Sequence, residues 1–471
     1  MRTLDERLTQ VVPSERQIQL QQTEFYAFIH FTVNTFTDRE WGDGTESPSI
    51  FNPARLDARQ WAKSIREAGM KGMILTCKHH DGFCLWPSRY TKHSVKASPY
   101  KNGKGNVVAE AAQACREYGL KFGVYLSPWD RNHPLYGSGK PYNDFFVAQL
   151  EELLTGYGEI FSVWFDGACG EGPNGKKQFY DWERYYETIR RMQPGACIHV
   201  CGPDIRWCGN EAGQTRKSEW SVVPRRASST ETVASKSQQQ DDAAFRKRPI
   251  RAQDQDLGSR ERLADETDLI WYPAEVNTSI RPGWFWHESE NDQVRPLEEL
   301  IDIYEKSVGG NATFLLNIPP TSDGLFHEND VRRLSEFGQY LRDSYGTNLV
   351  GGARLNASVH ASGHSVEHIC TDDETYYMPQ TEDGETFITL EWPQEKSIRR
   401  IVLKEQIRLS QRVERFCIDV LQDGKWETIG EGTVVGYKRI VSFAAVQTAV
   451  LRIRITDSRL APTIRFLGVY A

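Results

Sequence analysis

Short apolar runs alternate with amphipathic stretches of helical period through the first three quarters of the chain. Residues 25–31 read as a first strand, 58–68 as a helix, 72–77 as a second strand and 107–118 as the next helix. Residues 121–127 and 160–166 follow as strands three and four, separated by a helix around 144–154, and 197–201 forms a fifth strand. This alternation predicts an α/β fold, a (β/α)8-like barrel that allows for irregularity, with the pattern harder to follow beyond the fifth strand. Strand pattern returns at 269–271 and at 313–318, where Pro319-Pro320 ends it.

Residues 225–248 are rich in Ser, Thr, Gln and charge, and read as a long mobile insertion able to act as a lid. A helix over 331–341 precedes a change of composition at Gly346-Thr347-Asn348-Leu349-Val350-Gly351-Gly352, which sets the expected boundary. The chain thus divides into a barrel, 1–346, and an all-β part, 347–471. The second part has short alternating runs such as Phe387-Ile388-Thr389-Leu390 and Leu451-Arg452-Ile453-Arg454-Ile455, with Asp423-Gly424 as a hairpin turn, which predicts a β-sandwich.

A chain of 471 residues exceeds one ordinary core, which agrees with two domains. The net charge of -7, with both signs interspersed, offers no continuous basic surface for nucleic acid or an anionic membrane. No run reaches membrane-spanning length, and Met1-Arg2-Thr3-Leu4-Asp5-Glu6 lacks an apolar signal core. The nine cysteines, odd in number and scattered through strands, do not resemble a disulfide framework and are expected reduced. Cys197, His199 and Cys201 alternate onto one strand face near Cys208, but their spacing matches no standard zinc pattern, so no metal and no cofactor are expected.

The chemistry concentrates at predicted strand ends. Trp164-Phe165-Asp166-Gly167 closes strand four with a carboxylate, the place where α/β barrels carry reactive groups. An Asp-Gly step also suits a cap or turn, and the company of Trp164 and the upstream histidines favours chemistry. His30 follows strand one, His79-His80-Asp81-Gly82-Phe83 follows strand two, and Tyr125 lies in strand three. Imidazoles and an indole around a carboxylate suit a hydroxyl-rich ligand with an apolar face. A metal-dependent reading with His30, His79, His80 and Asp166 is the competitor; adjacent histidines on an extended chain are expected on opposite sides, which disfavours a shared ion. A noncatalytic glycan-binding protein is the third reading.

These residues resemble the α-L-fucosidases of glycoside hydrolase family 29. The resemblance runs through Phe28-Ile29-His30-Phe31, Asn34-Thr35-Phe36, Glu40-Trp41, Lys78-His79-His80-Asp81-Gly82-Phe83, Gly123-Val124-Tyr125-Leu126-Ser127, Trp164-Phe165-Asp166-Gly167 and Leu315-Leu316-Asn317-Ile318, spanning essentially the whole barrel. It implies retaining hydrolysis with Asp166 as nucleophile and a second carboxyl about 5–5.5 Å away as acid/base. Glu211 is the choice for that acid/base, with Glu219, Glu275 and Glu288 as competitors. Residues 206–213 are similar to the subgroup cleaving α-1,3 and α-1,4 linked fucose from branched glycans; broader action on aryl fucosides and α-1,2 or α-1,6 linkages is the alternative.

The resemblance further implies a fucose-contacting set of His30, Glu40, Trp41, His79, His80, Tyr125 and Trp164. Trp284 and Trp286 are added for the methyl-bearing face of the sugar. Fucosylated oligosaccharides or glycoconjugates are the implied partners. A periplasmic or secreted location is implied where a leader has been removed, and a cytoplasmic one otherwise. The last part resembles a discoidin-like galactose-binding module at Gly436-Tyr437-Lys438-Arg439 and Ile464-Arg465-Phe466-Leu467-Gly468-Val469-Tyr470, with packing against the barrel as its expected role.

Overall fold

The computed structural model describes residues 2–381 and 385–471. Eight parallel strands form the first sheet: β1 Phe25–Ile29, β2 Gly72–Lys78, β3 Lys121–Leu126, β4 Ser162–Phe165, β5 Cys197–Val200, β6 Arg206–Trp207, β7 Ala274–Ser279 and β8 Ala312–Asn317. They are ordered β5-β4-β3-β2-β1-β8-β7-β6, and a parallel bridge between His199 and Ile205 joins the two ends into a nearly closed barrel. Every residue of β1, β2, β4, β5, β7 and β8 is buried, as parallel strands covered on both faces must be.

Helices Ala58–Glu67, Val107–Glu117 and Trp182–Met192 return the chain after β1, β2 and β4, each started by an Asp or Asn side chain that accepts a backbone N–H of the first turn. The expected irregularity lies after β5. A loop of five residues leads directly to β6, and 66 residues then separate β6 from β7. Leu269–Trp271 does form a strand, but it pairs with Val222–Pro224 outside the barrel.

The insertion at 225–248 departs from the expectation of a mobile segment. It contains helix Thr230–Lys236, buries Val233 and Phe245, and is fastened by Arg246 to Glu40 at 2.9 Å. Its few apolar residues are spaced to face inward, so a low average hydrophobicity still suffices to dock it.

After helix Glu328–Tyr345 come six antiparallel strands, β9 Arg354–Ala357, β10 Thr386–Glu405, β11 Val413–Gln422, β12 Lys425–Gly432, β13 Arg439–Ser458 and β14 Ile464–Tyr470. They form a β-sandwich around a core that includes Leu390, Ile401, Phe416, Ile418, Leu451 and Ile453. Asp423 and Gly424, at φ 49° and 74°, make the tight turn between β11 and β12. This part is ion-paired to the base of the barrel. Burial opposes ionisation of Glu24, but Lys438 at 3.0 Å, Lys404 at 3.4 Å and Lys71 at 3.8 Å overcome it and hold the pKa down.

Candidate active site

A cavity opens at the C-terminal ends of the barrel strands. Parallel strands release their chains on one face, so side chains far apart in sequence converge there: His30 beyond β1, His79 and His80 beyond β2, Asp166 beyond β4, Val200 from β5, Trp207 from β6 and Asn277 from β7. Trp41, Trp164, Glu211 and Trp284 complete the wall with Ser237 and Gln238 of the insertion. Val200 holds φ 64°, a conformation a β-branched residue adopts only under constraint, at the edge of this cavity.

Asp166 accepts two hydrogen bonds, from the Tyr125 hydroxyl at 2.9 Å and from the Ala168 backbone N–H at 2.8 Å. Burial raises its pKa, and these donors pull the other way. Its side chain keeps 22 % exposure, into the cavity. Glu211 accepts the Trp284 indole N–H at 3.0 Å. Burial raises its pKa to about 8; the Trp284 bond opposes the shift and the negative charge of Asp166 adds to it.

None of the competing carboxyls lines the cavity. Glu219 is fully buried between Arg206 and Arg216. Glu275 lies within the barrel, accepting from Trp164 Nε1 at 2.8 Å and from the Tyr26 hydroxyl, with His199 Nδ1 at 2.9 Å. Glu288 is exposed in a short 3-10 turn.

Three sequence-named residues, Glu40, Trp286 and Tyr125, stand behind or away from the cavity wall. The Glu40 carboxylate is occupied by the scaffold, accepting the backbone N–H groups of Trp284 at 2.8 Å and Phe285 at 3.0 Å, with Arg246 Nη1 at 2.9 Å and His287 Nε2 at 2.8 Å. Trp286 lines a different cleft with Phe326 and His327, its indole bonded to Asn291 at 3.0 Å, because the chain turns between it and Trp284. Tyr125 reaches the site through Asp166.

The two adjacent histidines also correct an expectation. β2 ends at Lys78, and the chain then turns, with the Gly82 N–H bonded to the His79 carbonyl. Their rings therefore lie on one side, centroids 4.1 Å apart, both facing the cavity. With Asp166 they are the one grouping of metal-ligating types, within 4.8 Å of one another, among the described residues. Cys197 and His199 do not converge: the thiol turns to the Arg16 carbonyl and the imidazole to Glu275.

Trp207, Asn277, Ser237 and Gln238 were not singled out from sequence. Trp207 Nε1 donates to Asn277 Oδ1 at 2.9 Å, and Phe245 of the insertion stacks behind the indole, centroids 6.4 Å apart at 10°. Trp207 lay inside the 206–213 segment and was legible there as an aromatic beside a strand; Asn277 carried no local signal.

The sequence model of the family described as Alpha-L-fucosidase matches residues 13–346. Alpha-L-fucosidase 1 of Arabidopsis thaliana is 40% identical over 469 residues, covering 98% of this chain and 87% of the relative. A glycoside hydrolase 29 family member from an unknown rumen bacterium is 39% identical with a TM-score of 0.79, covering 98% of this chain and 77% of that one. A Ruminococcus gnavus GH29 fucosidase, solved in complex with fucose, is 30% identical with a TM-score of 0.83 over 99% of this chain and 98% of its own. Strand-end carboxyls in a barrel cavity and these near full-length matches lead to one conclusion: the chain belongs to the α-L-fucosidases of glycoside hydrolase family 29.

Proposed function

We propose that this enzyme is a retaining, exo-acting α-L-fucosidase that releases α-1,3/1,4-linked fucose from branched glycans through a covalent fucosyl-Asp166 intermediate. The observation that carries the reading is the pairing, in one cavity, of a carboxyl held protonated up to about pH 8, Glu211, with Asp166, a carboxyl that two donors favour as the anion. In the first step an Asp166 oxygen bonds to the anomeric carbon while the glycosidic bond breaks and the leaving oxygen takes the Glu211 proton. In the second, Glu211 as carboxylate takes a proton from water, whose oxygen displaces Asp166. His30, His79 and His80 meet the hydroxyls, and Trp41, Trp164 and Trp284 cover the apolar face. The fucose bound to the Ruminococcus gnavus relative supports the choice of sugar.

The linkage rests on the 206–213 segment and on the insertion, which adds Ser237 and Gln238 to the wall and backs Trp207 with Phe245. Contacts to a second branch raise the rate when they strengthen toward the transition state. Residues 1–346 serve as the catalytic domain and 347–471 as a galactose-binding-like module that packs on it. Fucose release from linear 2-linked, branched 3-linked and branched 4-linked oligosaccharides, beside an aryl fucoside, tests the whole reading. Preference for the linear 2-linked chain overturns the linkage, and no release from any substrate overturns the mechanism.

A further inference from the structure

Burial lowers the pKa of His30 to about 4 and of His80 to about 3, so both imidazoles are neutral at pH 7 and each carries one proton on one of two nitrogens. Which nitrogen holds it decides whether the ring gives or takes a hydrogen bond in the cavity. For His80, Nδ1 lies 2.7 Å from Ser127 Oγ. The Ser127 hydroxyl donates its proton to the Trp129 carbonyl at 2.7 Å, an oxygen that only accepts. Ser127 therefore receives from His80, and the His80 proton is on Nδ1. The rival arrangement, with Nε2 donating to Asp166, needs a bond across 3.9 Å, beyond hydrogen-bonding range.

His30 is fixed in the same way by a second chain. Its Nδ1 lies 2.8 Å from Asn317 Oδ1. The Asn317 amide nitrogen donates to the Trp284 carbonyl at 2.7 Å and to Ser279 Oγ at 2.9 Å, which fixes the side-chain orientation and leaves Oδ1 as an acceptor. His30 is therefore protonated on Nδ1 too. Both rings line the cavity, and no other described residue hydrogen-bonds Nε2 of either.

We propose that Asn317 and Ser127 are positioning residues that lock His30 and His80 in the Nδ1–H tautomer, so that the cavity meets its ligand with two bare Nε2 acceptors for hydroxyl protons. The identity of the ligand as fucose rests on the function proposed above; the lock does not. Outer partners that set a tautomer are well known at metal-bound histidines. Here the same device selects hydroxyl donors over ethers and halogens.

The test has two arms. In the first, ¹⁵N spectra of histidine-labelled free enzyme at pH 7, assigned by single His→Asn variants, should show Nδ1 protonated and Nε2 bare for both rings. Ser127→Ala should release His80 into a tautomer mixture while His30 stays unchanged. An Nε2–H tautomer at either ring in the native enzyme, or a His80 unaltered in Ser127→Ala, overturns the proposal. In the second arm, binding is measured for fucose analogues in which each hydroxyl is replaced by hydrogen or by fluorine. Fluorine cannot donate, so at two positions the fluoro analogue should bind as weakly as the deoxy one, each about tenfold below fucose. Recovery of affinity by fluorine at every position overturns the acceptor assignment. Failure of fucose itself to bind would refute the fucosidase mechanism, and the spectra would still decide the lock.

Discussion

The indole N–H of Trp284 donates to Glu211 Oε2 at 3.0 Å, while the backbone N–H of Trp284 donates to Glu40 at 2.8 Å. One tryptophan is thus fastened at both ends between a buried carboxylate of the scaffold and the proposed acid. An oxygen that accepts a bond is the poorer place for a proton, so this bond favours Oε1, the oxygen Trp284 leaves free, as the one that carries the proton of a neutral Glu211.

A raised Glu211 pKa has a signed consequence for pH. Its folded value of about 8 exceeds the ordinary 4.5, so the native state keeps a proton that the unfolded chain has already released, and its contribution to stability falls as pH rises through that window. Activity should fall as pH passes about 8, because the acid is then lost. A kcat/KM profile checks this, and Glu211→Gln should lack that alkaline limb; an unaltered limb would assign it to another group.

Glu211→Ala should slow glycans with a poor alkoxide leaving group by about 10²–10⁴, and aryl fucosides far less, since a good leaving group needs little protonation. Equal losses on both substrate types would place the acid elsewhere.

Asp166→Asn should abolish turnover while leaving the fold and fucose binding largely intact. In Asp166→Gly, azide should enter from the vacated face and give the inverted glycosyl azide. Product of retained configuration would exclude Asp166 as the nucleophile.

Gly167 is needed for space. A Cβ there would stand 2.0 Å from Ser237 Oγ and 3.2 Å from Val233, where the insertion crosses the end of β4. Gly167→Ala should therefore lower activity by displacing the insertion, and adding Ser237→Gly should restore much of it. Additive losses in the double variant, read as kcat/KM on a branched glycan, would show that the two positions are uncoupled.

Glu40 ties Arg246, His287 and the Trp284 loop together. Glu40→Ala leaves the buried Trp284 and Phe285 N–H groups without their acceptor and takes from Arg246 the nearer of its two carboxylates, and should cost about 3–5 kcal/mol of stability, read as a fall in Tm. A Tm unchanged within error would show that the contacts are dispensable.

Sequence alone determined the strands whose residues are apolar on both faces. β1 to β5 and β8 lie within two residues of their predicted ends, because in these strands the covered run is largely apolar, as is common for parallel strands packed on both faces. It also pointed to strand-end polar residues, since several polar groups closing buried runs on one barrel face are hard to explain as packing, whereas a single one is commonly a cap or turn. The Asp423-Gly424 hairpin was legible because positive φ at two successive positions restricts residue choice.

Tertiary structure decided what depends on partners distant in sequence. β7, Ala-Glu-Val-Asn-Thr-Ser, has no apolar run, and its polar residues are answered by other strands: Glu275 across the barrel by Trp164, Tyr26 and His199, Asn277 by Trp207 of neighbouring β6, Ser279 by Asn317 of neighbouring β8. No local pattern announces such a strand. Only the fold brought His79 and His80 to one side, sent Trp286 away from Trp284, and turned a polar insertion into a wall of the cavity. Burial and hydrogen bonding set these outcomes, and both are properties of the whole packed molecule, in which each side chain's neighbours come from other strands.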